Sequence, residues 1–333
     1  MNLNARVLEA FLRAEGQFVS GSGIGRDLGL SRVSIHNHLE ELRRSGFVFS
    51  AIRNKGYRME SEPDSFHPDL YEALLARQPC PFYQSHLYLQ QTESTNTVAE
   101  KELSGGRETP FLVLAETQTA GRGRRGRSWH SPPHRNLYLS VALRPALPPS
   151  RLQTITLWLG LRLCQFLRDT FALPVLVKWP NDLMLHDRKI AGMLTEARVD
   201  SEQTRDLVFG LGLNVNAQEG DFPPELADTA ASLRQNLGHP LSLTRLAHSL
   251  AAHIARAIQD FLDNQFAPEL AAGWPEFDYL RGQAVHAGGE ISGRVLGITS
   301  NGSLRLERAD GSTAILHSGE VALDRIRRRT TGI

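Results

Sequence analysis

Gly121-Arg122-Gly123-Arg124-Arg125-Gly126-Arg127-Ser128-Trp129 is the stretch on which the fold turns. It matches G-x-G-x-x-G and follows the strand-like run Phe111 to Ala115, so a dinucleotide-binding fold is the first reading to test. That fold needs a helix next, and an acidic residue about 20 positions on for a ribose hydroxyl. Pro132 and Pro133 arrive at once instead, and no Asp or Glu occurs from 117 to 168. The dinucleotide reading fails on both counts. A G-x-x-x-x-G-K-[ST] loop is also missing from the sequence. What remains is a glycine-spaced loop carrying four guanidinium groups and an indole. Arginines grip anions bidentately and an indole offers a stacking face. The expectation is a loop that is mobile while empty and folds over a phosphate-bearing ligand; a solvated basic loop is the competing reading.

Charge supports a ligand only locally. Thirty-seven basic and thirty-six acidic side chains leave a net charge of +1, which names no partner. Residues 1–60, however, hold nine Lys/Arg against six Asp/Glu, and residues 117–168 hold nine arginines and no carboxylate. Arginines that close together repel unless an anion sits among them, which favours an anion-handling site. The alternative is that distant carboxylates neutralise them in the fold.

At 333 residues the chain holds two or three domains. No run approaches the roughly 20 apolar residues of a membrane span; Ile155 to Cys164 is interrupted by Arg162. The N-terminus lacks an apolar signal core, and Cys80 and Cys164 form neither a C-x-x-C pair nor a disulfide framework, so a cytoplasmic protein is expected. The histidines and cysteines show no zinc spacing, and no protein-bound metal is assigned.

The first sixty residues read as a winged helix-turn-helix. Val7, Leu8, Phe11 and Leu12 recur at helical spacing before Gly16; Gly21 to Leu28 forms a second helix; Ser31 caps a third, whose Ile35, Leu39 and Leu42 share one face. The other face presents Arg32, Ser34, His36 and Asn37, suited to base edges in a major groove. Phe47 to Ile52, the turn Arg53-Asn54-Lys55-Gly56 and Tyr57 to Met59 make a hairpin whose Arg53 and Lys55, with Arg43 and Arg44, suit phosphates. A small helical protein-contact domain is the alternative. Pro63, Asp64 and Pro68 mark a linker, followed by a short helix at Leu70, Leu74 and Leu75.

Strand-like segments follow at 86–89, 111–115, 136–143, 175–178, 190–196 and 207–213, with helical stretches at 94–103, 151–171 and 242–264. This is a mixed α/β domain with a largely antiparallel, one-sided sheet. Lys178-Trp179-Pro180-Asn181-Asp182 ends one strand, and Lys189 begins the next. Two lysines around one hairpin beside the arginine loop make a cationic pocket. Asp182 is its odd charge: it orients a lysine, holds Mg²⁺ with phosphates, or caps the turn.

In this order, GRGRRGRSW (121–129), KWPND (178–182) and KIAGMLTE (189–196) resemble the biotin–protein ligases. Glu93-Ser94-Thr95-Asn96 resembles that family's biotin-pocket segment, and Gly210 to Asn216 its glycine–asparagine strand. With the winged helix in front, the resemblance is to the bifunctional type, ligase and biotin operon repressor, and it covers nearly the whole chain. It implies a class II synthetase-like ligase domain that uses biotin, ATP and Mg²⁺ and transfers biotin to a biotin carboxyl carrier protein. It also implies operator DNA as a partner, no membrane, and a homodimer in the adenylate-bound state. Carried over by residue, Ser94, Thr95, Asn96 and Gln118 contact biotin; Arg122, Gly123 and Arg124 close over biotin and phosphate. Trp129 packs near the adenine, with Arg127, Lys178, Asn181 and Asn214 on the nucleotide side. Lys189, Arg124 and Asp182 are the catalytic set. A ligase whose winged helix does not repress, a lipoate-type ligase, and a ligand-sensing transcription factor are the other candidates.

From Gln283 to Leu323, short alternating segments separated by Gly288-Gly289, Asn301-Gly302 and Asp310-Gly311 predict hairpins of a small SH3-like β-barrel. After Gly319-Glu320 the repressor-type relatives tend to carry an arginine; here Asp324 stands there, with Arg325 next. The expected division is 1–63 winged helix, 64–80 linker, 81–275 catalytic domain and 276–333 barrel.

Overall fold

The structure, a computed structural model, describes residues 1–200, 202–287 and 291–323. Asp324, Arg325 and the turn at Gly288-Gly289 lie outside the described residues.

The N-terminal unit comprises α1 (Leu3–Arg13), α2 (Gly21–Leu28), α3 (Arg32–Arg44), β1 (Val48–Ile52) and β2 (Gly56–Ser61). Ser31 accepts the Ser34 N–H at 3.0 Å and fixes the start of α3. Val7, Leu8, Phe11, Ile24, Ile35, Leu39 and Leu42 close one small core, as their spacing predicts. One pairing has no sequence signature. Val19 and Tyr57 exchange backbone hydrogen bonds at 2.7 and 2.9 Å, adding a one-residue third strand too short to show an alternation.

The stretch expected to be a linker is a structural joint. It contains α4 (Pro68–Arg77), whose Leu70 and Ala73 enter the N-terminal core while Tyr71 enters the core of the next domain. The joint is bonded on its far side as well: Leu243 N–H donates to Asp64 O at 2.9 Å, and His67 N–H to Thr244 Oγ1 at 2.8 Å.

The central domain runs β3 (Ser85–Thr92), α5 (Thr95–Ser104), β4 (Phe111–Gln118), β5 (Leu137–Leu143), α6 (Leu152–Phe171), β6 (Leu176–Lys178), β7 (Asp182–Leu185), β8 (Arg188–Asp200), β9 (Gln203–Leu213), α7 (Leu233–Leu237), α8 (Leu243–Leu262) and α9 (Phe266–Phe277). Its seven strands lie in the order β3-β4-β5-β9-β8-β7-β6, antiparallel except for β3 beside β4. Leu139, Val141 and Leu143 point to the face packed by α6 and α8, as period-2 alternation requires. The sheet is not fully one-sided. Phe111, Val113, Ala142 and Val208 form a smaller cluster with Ala99 and Leu103 of α5 on the opposite face. Helix α9, outside the helical stretches expected from sequence, buries Phe266, Leu270, Trp274 and Phe277, spaced four, four and three residues apart on one face, with Pro275 inside it.

The C-terminal unit has five antiparallel strands, β10 (Ala284–Ala287), β11 (Ile291–Ile298), β12 (Leu304–Glu307), β13 (Thr313–Leu316) and β14 (Val321–Leu323), in the order β13-β12-β11-β10-β14. Val285, Val295, Leu304 and Leu306 join the central core, and Trp179 Nε1 donates to Gly302 O at 2.9 Å. The barrel is thereby held against the KWPND turn.

Candidate active site

The arginine loop is a closed hairpin. Gly123 N–H donates to Arg127 O at 2.7 Å and Trp129 N–H to Gly121 O at 2.8 Å. Arg125 and Gly126 take positive φ values of 56° and 74° to make the turn, which explains the glycine at 126. The loop is thus internally bonded at two levels. Gly123 serves this hairpin.

Behind the loop lies a floor of glycines. A Cβ on Gly212 would sit 2.4 Å from Trp129 Nε1, one on Gly192 2.9 Å from Trp129 Cζ3, and one on Gly210 2.2 Å from Asn96 Oδ1. The indole therefore rests directly on β8 and β9, and its Nε1 is buried without a partner. On one side of Trp129 is a small hollow of about 40 Å³ lined by Ser94, Thr95, Asn96, Gln118 and Arg122. A hydrogen-bonded set orders it: Thr95 N–H donates to Gln118 Oε1 at 2.8 Å, and Gln118 Nε2 to Ser131 Oγ at 3.0 Å.

On the other side is a cavity of about 490 Å³ lined by Arg127, Lys178, Asp182, Lys189 and Asn214 together with Trp129 itself. A third, of about 510 Å³, holds Arg124, Arg127, Lys178, Asn181 and Asp182 between the loop and the barrel. Two tight hairpins position these groups. Strands β6, β7 and β8 pair antiparallel, with a register shift between Leu183 and Met184, placing Lys178 opposite Asp182 and Asp182 opposite Gly192. Asp182 thus opens a strand. Its carboxylate pairs with a lysine, Lys189 Nζ lying 2.7 Å from Asp182 Oδ1. Lys189 Nζ also stands 5.3 Å from the Trp129 ring centroid. Arg124 Nη1 reaches Asn181 Oδ1 at 3.5 Å, and burial, then repulsion from Arg125, lowers its pKa while Asp182 and Glu320 oppose this. Asn214 Nδ2 donates to Ala231 O at 3.0 Å and anchors the cavity wall.

The charge argument from sequence needs correcting. Of the nine arginines in 117–168, six find carboxylates from elsewhere: Arg122 with Glu100 and Glu196, Arg127 with Glu320, Arg135 with Asp221, Arg144 with Asp206, Arg162 with Glu269, Arg168 with Glu276. Long-range folding neutralises most of the run, and the anion site rests on the cations that line the cavities, Arg124, Lys178 and Lys189. Cavity residues from 222–230, such as Phe222 and Thr229, were missed because they carry no motif; Lys189 N–H donating to Thr229 O at 2.8 Å brings that segment in.

In the N-terminal unit Arg32, His36, Asn37, Arg53 and Lys55 are exposed, and Ser34 is half-buried. Arg43 pairs with Glu40 and donates to Phe49 O.

Sequence models of three families match in this order: an HTH domain over residues 5–58, the Biotin/lipoate A/B protein ligase family over 88–214, and the Biotin protein ligase C terminal domain over 282–324. The bifunctional ligase/repressor BirA of Bacillus subtilis (strain 168) is 31% identical over 324 residues, covering 96% of this chain and 98% of the relative. The chain belongs to the BirA family of bifunctional ligase/repressors. The Escherichia coli (strain K12) BirA is 32% identical over 317 residues, 94% of this chain and 95% of the relative. Among solved structures, the biotin protein ligase from Aquifex aeolicus in complex with biotin and ATP superposes with a TM-score of 0.62 at 26% identity, covering 72% of this chain and 99% of that one. In this BirA-family chain, therefore, the small polar hollow and the two cationic cavities lie within or beside the ligase-family segment. The winged helix precedes them, and the barrel supplies Glu320 to the wall of one cavity.

Proposed function

We propose that the chain is an ATP-dependent biotin–protein ligase that also binds operator DNA and represses biotin synthesis genes. In the first step a biotin carboxylate oxygen attacks the α-phosphorus of ATP, forming biotinyl-5′-AMP and releasing pyrophosphate. In the second, a lysine amine of a biotin carboxyl carrier protein attacks the acyl carbon of that anhydride, and AMP leaves as the amide forms.

The observation that carries this reading is the pairing of two unlike compartments that share Trp129: a small polar hollow lined by Ser94, Thr95, Asn96, Gln118 and Arg122, and a large cationic cavity. The polar side chains of the first suit a hydrogen-bonding ring, which the hollow admits only by opening beyond its volume of about 40 Å³. Phosphates fit the second, where Lys189 and Lys178 line a cavity for a group whose charge grows in the transition state. Lys189 sits at the junction, held by Asp182, where a carboxylate and an α-phosphate meet. Arg124 approaches from the loop side through Asn181. Mg²⁺ enters with ATP as part of the substrate. Asp182 is engaged by Lys189.

The DNA reading rests on the exposed polar face of α3 and the basic tip of the β1–β2 wing. No helix among the described residues is long and apolar enough to cross a membrane, consistent with the proposed cytoplasmic location; the adenylate-bound protein is proposed to act on DNA as a homodimer.

The test is incubation with radiolabelled biotin, MgATP and a biotin-carrier domain. Label on the carrier is expected, and no label there overturns the ligase reading. A parallel arm with lipoate separates the lipoate-type alternative, which the shared biotin/lipoate family motivates.

A further inference from the structure

We infer that Glu196 is a positioning residue that sets which end of the substrate acid enters the small hollow, an assignment that rests on the ligase reading above. One carboxylate oxygen, Glu196 Oε2, accepts from Arg122 Nη2 at 2.8 Å and from Asn96 Nδ2 at 2.7 Å. The other end of the Asn96 amide is fixed as well, with Oδ1 2.5 Å from Ser140 Oγ. Flipping the amide would turn its oxygen against a carboxylate, so Glu196 dictates the orientation of Asn96. Glu100 Oε1 lies 2.9 Å from the same Arg122 Nη2. Both acids hold the guanidinium by one nitrogen, leaving its Nε buried without a partner. A buried donor without an acceptor is destabilising, and a ligand acceptor in the hollow removes that penalty.

Charge gives the arrangement direction. At the ring end two carboxylates flank one guanidinium, whereas the other end carries Lys189, Arg124 and Arg127 around Asp182. A carboxylate is repelled from the first and drawn to the second. An acid with a neutral hydrogen-bonding ring therefore enters ring first and presents its carboxylate to the nucleotide. Glu196 closes the 189–196 motif, where its sequence position names no task, and Ser140 lies in no motif; the strand register of β8, β9 and β5 brings both to Asn96.

The experiment is biotin-dependent ATP–pyrophosphate exchange on the full chain with Glu196→Ala and Glu196→Gln, reading KM for biotin and KM for ATP separately, with melting temperatures. Glu196→Ala is expected to raise KM for biotin about 10–100-fold, the scale of hydrogen bonds to a charged group, and to leave KM for ATP unchanged. Glu196→Gln, which keeps an acceptor for Asn96 and loses the charge, is expected to fall between. Unchanged KM for biotin in either folded variant, or equal rises in both KM values, overturns the assignment; if Glu196→Ala fails to fold, the near-isosteric Gln variant decides. Absence of exchange in the unsubstituted protein overturns the ligase reading itself, and is seen before any variant is made.

Discussion

Lys189 Nζ lies 2.7 Å from Asp182 Oδ1, on neighbouring strands that both open from tight turns. The pair places one ammonium in the cationic cavity, 5.3 Å from the ring centroid of Trp129, which also lines the polar hollow, and gives it a fixed direction. Removing that ammonium, Lys189→Ala, is expected to lose about 10²–10³-fold in adenylation, the scale of one preorganised electrostatic group. The substitution also leaves Asp182 facing the phosphates. The double variant Lys189→Ala/Asp182→Ala should therefore bind ATP better than Lys189→Ala alone, a coupling that a double-mutant cycle reads. Near wild-type biotin-dependent pyrophosphate release by Lys189→Ala would remove the lysine from this role.

Gly212 is required by its neighbour. Its Cβ would overlap Trp129 Nε1 at 2.4 Å, and the strand backbone behind it cannot retreat without breaking its pairing with β5 and β8. Gly212→Ala should therefore displace the indole while the sheet persists. Misplacing a substrate-positioning group by about 1 Å can cost up to about 10²-fold. The expected result is a comparable fall in kcat/KM with retained far-UV circular dichroism and a shifted tryptophan emission; unaltered emission would contradict it.

His86 sits among the rings of Tyr71 and Tyr83, with centroids 5.7 and 5.4 Å away. Burial, and then repulsion from His248, depresses its pKa from 6.5 to about 4. The fold thus prefers the neutral ring. Above 6.5 the preference costs nothing; as pH falls from there towards 4 the unfolded chain binds a proton that the folded chain refuses, and stability drops. His67 and His253, lowered by the same cause, act in the same direction. Melting temperatures should fall across that window, and His86→Phe should flatten the fall. A slope equal to wild type would exclude His86 as a source.

The exposed wing predicts a division of labour on DNA. Lys55→Ala and Arg53→Ala should each reduce the magnitude of the log–log salt slope by about 0.9 for each phosphate left without its cation. Asn37→Ala should leave the slope in place and weaken discrimination between sequences. Filter binding across a salt series on biotin-gene control DNA measures both; equal slopes for the wing variants would place the phosphate-binding cations elsewhere.

Arg127 and Glu320 join the loop to the barrel at 2.6 Å, but their side chains are 69% and 48% exposed. A solvated pair contributes only about 0–1 kcal/mol. Glu320→Gln should accordingly shift the melting temperature very little, and a large thermal loss would show that the barrel depends on this ion pair.

Much of this molecule is legible in its residues because local spacing carries the information. Ile35, Leu39 and Leu42 give α3 its buried face, the Asn301-Gly302 and Asp310-Gly311 turns give the hairpins their positions, and the loop at 121–129 excludes the dinucleotide fold. The linker differs in kind from what its composition suggests. Its prolines announce a break, but that Leu70 and Tyr71 enter two different cores is decided by what packs on each side of the helix.

Sequence alone determined the order of the three units and the chemical inventory: arginines and lysines, glycines at 192, 210 and 212, and the indole of Trp129. Tertiary structure alone decided which charges face a ligand. The run from 117 to 168 contains no acid of its own, yet six of its arginines are answered by carboxylates brought from other segments. The physical reason is range. Periodicity and turn chemistry act within a few residues, whereas an ion pair depends only on distance in space, which chain separation does not set.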